Sequence, residues 1–168
     1  LLFANANPQF VPDLDNAIGY FKNDKEVNVA KEIGKFYHNK KEWEKAIKYY
    51  GLSEKNSSEA DLETSLLWLQ ANTELKQFEP VLKKAMTMIE TYPAEPQFYY
   101  YAGLANNQLQ FFKKAKDILE MGLDYVVENK ELEINFNIQL GEAYSGLGDT
   151  AKKELYFNKA NQLLKEKK

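Results

Sequence analysis

A helix–turn–helix pattern that recurs at a near-constant interval is the feature of this sequence that most restricts its fold. The pattern is clearest in Tyr99–Val127. In its first half the small residues Ala102, Gly103 and Ala105 lie on one helical face, where a partner helix can approach closely. In its second half apolar or small residues recur every three or four positions, at Phe112, Ala115, Leu119 and Gly122. That spacing is the stripe of an amphipathic helix, so the stretch is expected to form two antiparallel helices, with Gly103 facing the second helix where Ala115 and Leu119 approach.

The same pattern is present four times along the chain. The equivalent positions are separated by 35, 34 and 38 residues and are Gly34, Leu69, Gly103 and Gly141. A constant period of this length is typical of stacked helix pairs, in which each pair buries its apolar faces against its neighbours. We therefore predict an all-α chain with no strand, consisting of an N-terminal segment 1–26 and a repeat domain 27–168 with units 27–58, 59–95, 96–130 and 131–168.

The N-terminal segment is the least regular part of the sequence. Leu14, Ile18 and Phe21 share one face, which predicts a short helix over about 14–22 that covers the open end of the array. Ahead of it, Ala4-Asn5-Ala6 has the form of a signal-peptide cleavage site, which would make the protein periplasmic. The alternative is the last turn of an upstream helix that ends before Pro8. The chain begins with Leu1 and is expected to be a processed protein or part of a longer one, in the cytoplasm or the periplasm.

The composition argues against several classes of function. All 22 basic residues are lysine and the net charge is −3, whereas nucleic-acid binders normally present a basic, arginine-containing face. The single histidine and the absence of cysteine leave no set of residues for a zinc site. No nucleophile motif, phosphate-binding loop or apolar run of membrane-spanning length is present. We expect no enzyme activity, no cofactor and no metal.

The chain resembles the tetratricopeptide repeat family over about Val27–Leu164. The matching residues, in the order of the four units, are Ile33, Gly34, Tyr37, Trp43, Ala46 and Tyr50; Trp68, Leu69, Phe78 and Pro93; Ala102, Gly103, Phe112 and Ala115; and Leu140, Gly141, Tyr144, Gly148 and Ala160. Two positions depart from the family pattern, since Leu69 replaces a glycine and Lys153 an alanine. Those two hairpins are expected to splay more widely than the others.

The resemblance implies a right-handed superhelix of antiparallel helix pairs, an α-solenoid, whose first helices line a concave groove. It also implies a binding role without catalysis. The residues expected to line this groove are Lys31, Lys35, His38, Gln70, Thr73, Tyr100, Tyr101, Leu104, Asn107, Gln108, Gln139 and Glu142. Lysines at one end and Glu142 at the other predict a charge gradient that orients the partner.

The run from Phe98 to Tyr101 is the sharpest local feature of the predicted groove. Successive helical residues advance by about 100°, so four aromatic rings cannot all face one interface. Tyr99 is expected in the core, and Tyr100 or Tyr101 either anchors a partner or packs against a neighbouring repeat.

The favoured function is a scaffold that binds a protein or peptide segment. The alternative is a structural role, in which the array packs against further upstream repeats or self-associates as a homo-oligomer.

Overall fold

The computed structural model describes residues 29–55, 57 and 61–166. The expected helix at 14–22 and the Ala4-Asn5-Ala6 site lie outside these residues. The described residues form eight helices and no strand, so the predicted all-α fold is confirmed. The helices are α1 (Val29–Asn39), α2 (Trp43–Lys55), α3 (Leu62–Glu74), α4 (Phe78–Thr91), α5 (Pro96–Gln108), α6 (Phe112–Leu123), α7 (Lys130–Gly146) and α8 (Thr150–Glu166).

Each helix–turn–helix segment contains the same type of turn. One residue in each has a left-handed backbone, with φ of 58°, 57°, 63° and 75° at Lys41, Lys76, Gln110 and Gly148. In the third segment the amide of Gln110 donates to the carbonyl of Asn107 at 2.9 Å, and that of Phe111 donates to Asn106 at 2.8 Å. These two bonds are the Schellman arrangement, which satisfies the free carbonyl groups at the end of α5.

Proline and side-chain caps set several of the other helix boundaries. Pro96 is the first residue of α5, a position whose amide needs no partner. Asn129 accepts a hydrogen bond from the amide of Leu132 at the start of α7.

The chain divides into two compact units, Leu1–Lys76 (unit 1) and Gln77–Lys168 (unit 2). In unit 1, α1 packs against α2, and both contact α3. The core of unit 1 is aromatic, and Tyr37 and Tyr49 stack with their ring centres 5.4 Å apart. A Cβ on Gly34 would lie 2.5 Å from the ring of Tyr50, so only glycine allows α1 to lie this close to α2.

Unit 2 contains α4 to α8, and each helix packs against the next one in the chain. In addition, α5 contacts α7. Its largest buried cluster includes Tyr99, Leu119, Phe136 and Leu140. A Cβ on Gly103 would overlap the side chain of Leu119, which confirms that Gly103 faces this residue of α6. Leu155 on α8 is 49% exposed, so this apolar side chain lies outside the core.

Candidate binding surfaces

In unit 1 the lysines expected to meet a partner are already paired. Lys31 Nζ lies 2.8 Å from Asp61 Oδ2 and 2.6 Å from Glu63 Oε2. Lys35 Nζ lies 2.6 Å from the other oxygen of Glu63. These contacts join α1 to the start of α3. The expected positive end of the groove is therefore largely neutralised by carboxylates of the same unit.

The titration behaviour of this cluster follows from the pairing. Burial opposes the charge on Lys31, but hydrogen bonds to Asp61 and Glu63 outweigh it and raise its pKa. Burial likewise opposes ionisation of Asp61, yet hydrogen bonds from Lys31 and Thr64 lower its pKa. Hydrogen bonds from Lys31 and Lys35 lower the pKa of Glu63. The cluster is therefore fully charged at neutral pH.

The remaining predicted residues of unit 1 lie near the ends of α1 and α3. His38 is partly buried, with its ring edge-on to that of Trp43 at 4.9 Å. Burial lowers the pKa of His38, although a hydrogen bond with Gln70 and the charge of Glu74 oppose the change. Gln70 is exposed, and the hydroxyl of Thr73 donates to the carbonyl of Leu69 at 2.8 Å. His38 is thus a neutral packing residue.

In unit 2 the three consecutive tyrosines have different environments. Tyr99 is buried, as expected, and its hydroxyl donates to the carbonyl of Pro93 at 2.8 Å. Tyr100 packs 5.9 Å from the ring of Phe136 on α7, and burial and the charge of Glu142 raise its pKa. Tyr101 is partly exposed and touches Tyr100 edge-on at 5.4 Å. Tyr100 therefore supports the contact between two helix pairs, whereas the ring contact described for Tyr101 is with its neighbour Tyr100.

Two residues predicted to contact a partner are instead buried between α5 and α7. Asn107 and Gln139 are 5% and 8% exposed. Asn107 Nδ2 donates to the backbone oxygen of Gln139 at 2.8 Å and to its Oε1 at 3.0 Å. Because Oε1 accepts from Asn107, the amide nitrogen of Gln139 remains available as a donor. Asn107 and Gln139 thus join α5 to α7.

The other predicted residues of unit 2 remain accessible. Leu104 is partly exposed and Gln108 is exposed, both on α5. Glu142 is partly exposed, and burial raises its pKa, while the hydrogen bond with Gln139 opposes this change. Together with Tyr100 and Tyr101, these are the residues of the predicted set in unit 2 that keep part of their surface exposed.

An open pocket of about 520 Å³ lies beside Glu142 and was not predicted. Its lining residues come from α6, α7 and α8 and are Phe112, Glu142, Ser145, Gly146, Lys153 and Phe157. The one feature of the sequence that pointed to this pocket is Lys153, which stands where the repeat pattern has an alanine. The equivalent residues Ala46, Val81 and Ala115 are fully buried, whereas Lys153 is partly exposed.

A metal site and a membrane-spanning helix each have structural requirements that the described residues do not meet. No group of three or more histidine, aspartate or glutamate side chains is placed to hold a metal ion there. Within the same residues no helix combines the length and apolar character needed to cross a membrane.

The fold is similar to that of several solved structures. A crystal structure of MamA superposes with a TM-score of 0.76 at 19% identity, over 92% of this chain and 86% of that one. MamA 41-end from Desulfovibrio magneticus RS-1 gives 0.74 at 17% identity, over 98% and 94%. BtubC (BKLC) from P. vanneervenii gives 0.66 at 18% identity, over 82% and 63%. These identities establish similarity of fold alone.

Sequence comparison does not add a family assignment. No protein-family model matches the chain, and no curated protein matches its sequence. The helix content and the structural similarity nevertheless agree with the resemblance found in the sequence. The chain has a helical-repeat fold of the tetratricopeptide type.

Proposed function

We propose that this chain is a non-catalytic scaffold that binds a segment of a partner protein, and that unit 2 contacts the segment through α5 and α7. The observation that carries the proposal is the set of accessible side chains on these neighbouring helices. Tyr101 and Leu104 supply apolar contact area, and Gln108 and Glu142 supply hydrogen-bonding groups. A mixed surface of this kind suits a peptide, whose backbone needs polar partners and whose side chains need apolar ones.

Tyrosine is a common anchor at protein interfaces because it combines a large rigid ring with a polar tip. Tyr101 fits this role better than Tyr100, which is packed against Phe136. The buried Asn107–Gln139 pair supports the proposal because it joins α5 to α7, the two helices that carry these side chains. A surface whose helices are already held together loses little conformational entropy when a partner binds.

The proposal is tested by affinity capture from the native source with the full chain, followed by mass spectrometry. The informative variant is Tyr101→Ser combined with Leu104→Ser, which leaves the Tyr100–Phe136 contact in place. Loss of two apolar contacts should weaken capture of a specific partner at least about tenfold. Lys113→Ala, on the exposed side of α6, is the matched control and should capture normally. Equal capture by both variants, with unchanged urea midpoints, would contradict the proposal.

The alternative is that the chain packs against copies of itself. It is favoured by exposed apolar side chains near the end of α6, where Met121, Tyr125 and Val127 are 55%, 43% and 76% exposed. Light scattering over a range of concentrations tests this alternative. A mass that rises with concentration in the native chain but not in Val127→Lys would support it.

A further inference from the structure

We propose that the pocket beside Glu142, lined by Phe112, Ser145, Gly146, Lys153 and Phe157 as well, binds the basic side chain of a lysine or arginine in the partner segment. This inference rests on the proposed function and specifies the chemistry of the partner. The pocket, at about 520 Å³, has room for one long side chain and the adjoining backbone.

The walls of the pocket are two phenylalanine rings that rest directly on glycines of α7. The ring of Phe112 occupies the space that a Cβ on Gly146 would need. A Cβ on Gly141 would lie 2.7 Å from the ring of Phe157. Both rings are therefore held close to the helix backbone on either side of Glu142. Aromatic faces attract cations, and a site with such walls and a carboxylate suits an ammonium or guanidinium group.

The carboxylate of Glu142 lacks a compensating charge. Its described hydrogen bond comes from the neutral amide of Gln139, and burial raises its pKa. Among the described residues no lysine forms an ion pair with it. A partly buried carboxylate in this state gains more from a cation than an exposed one does, because solvent screens the pair less.

Lys153 is the one cation among the residues that line the pocket, and its charge would repel a basic ligand. It occurs on α8 and is not paired with Glu142. Its long side chain can turn toward solvent, so Lys153 does not have to stay beside a basic ligand. An anionic ligand would instead pair with Lys153 and be repelled by Glu142. Neutral variants of Glu142 and Lys153 should therefore change the binding of basic and anionic ligands in opposite directions.

The experiment uses ligands that do not depend on knowing the partner. Butylammonium, n-butanol and butyrate share one alkyl chain and differ in charge, and each is titrated into the ¹⁵N-labelled full chain while amide shifts are recorded. We expect butylammonium alone to give saturable shifts at Glu142, Ser145, Gly146 and Lys153. Glu142→Gln keeps the shape of the side chain and should weaken butylammonium binding by at least about fivefold, the loss of one partly buried charge pair.

Lys153→Gln provides the second measurement and should strengthen butylammonium binding about twofold or more, because it removes a repulsive charge. Larger shifts with butyrate, or equal shifts with n-butanol, would overturn the proposal in favour of an anion site or an apolar pocket. No shift with butylammonium would overturn it as well. This assay needs no partner, so its result is independent of the capture experiment. Butylammonium can fail to bind while the partner is still captured through Tyr101 and Leu104, and it can bind when no partner is captured.

Discussion

The side-chain amide of Asn107 joins two helices by donating to both the backbone and the side chain of Gln139, at 2.8 and 3.0 Å. Both residues are buried, so neither amide has water as a ready substitute. Buried polar pairs of this kind contribute modestly when satisfied and are costly when one member is removed. The pair therefore fixes the position of α5 relative to α7.

Asn107→Ala is expected to lower the free energy of unfolding by about 1–3 kcal/mol, since it leaves the buried Oε1 of Gln139 without its donor. Gln139→Ala should cost less, because its backbone oxygen can still accept from Asn107. Urea unfolding of both single variants and the double variant measures the coupling. Additive effects would show that the two side chains do not stabilise the helix contact together.

Glycine substitutions at two helical positions should have opposite effects. Gly51 lies inside α2 with nothing within 4 Å of an added Cβ, so Gly51→Ala should stabilise by about 1 kcal/mol through helix propensity. A Cβ on Gly103 would overlap Leu119, so Gly103→Ala should destabilise, and Gly103→Leu should cost about 1–3 kcal/mol. Urea midpoints measure the change in stability of each variant. A stability change of the same sign for Gly51→Ala and Gly103→Ala would contradict this packing.

The turns make a separate prediction about left-handed residues. Gly148 has φ of 75°, and Gly148→Ala should cost about 1–2 kcal/mol. Gln110 has φ of 63°, so Gln110→Gly relieves this strain and should not destabilise the chain. Lys83→Gly, at an exposed position inside α4, is the control and should cost about 1 kcal/mol. If thermal unfolding gives equal losses for Gln110→Gly and Lys83→Gly, the turn geometry is wrong.

The ion pairs of unit 1 predict a stability contribution that is lost in acid. The pKa values of Asp61 and Glu63 are lowered from 3.8 and 4.5, so folding gains stability above these values and loses it as the pH falls below them. The two side chains are 40% and 52% exposed, so solvent screening limits the gain to about 0.5–1 kcal/mol. Lys31→Met should show this loss at pH 7 and little difference from the native chain near pH 2. A difference independent of pH would mean that Lys31 acts through packing.

The repeat fold was predictable because it depends on residues whose role is local. The period of the small residues and the positions of Pro96 and Gly148 specify helices and turns within one segment, whatever lies next to it. Burial within each segment followed as well, as Tyr99 and Leu119 show.

The surface residues were harder to predict, since their environment depends on residues far away in the chain. Asn107 seemed accessible because helical periodicity places it away from α6, but it meets Gln139, 32 residues later. Lys31 similarly meets Asp61, 30 residues later. Periodicity identifies the face that a helix presents to its partner in the same segment. It does not identify the residues that contact the first helix of the following segment. The pocket was missed for the same reason, because its walls come from three helices.

The identical turns also determine where the chain can change in length. The left-handed residue follows the aligned small-residue position by seven residues in all four segments, from Gly34 to Lys41 and from Gly141 to Gly148. The connections between segments vary in length instead, and the one between α6 and α7 spans residues 124–129. One residue inserted beside Gln110 would rotate the start of α6 by about 100° and turn Leu119 away from Gly103. One residue inserted beside Val127, which is 76% exposed, would only lengthen a loop, so this loop is a site at which the repeat array can accept added sequence.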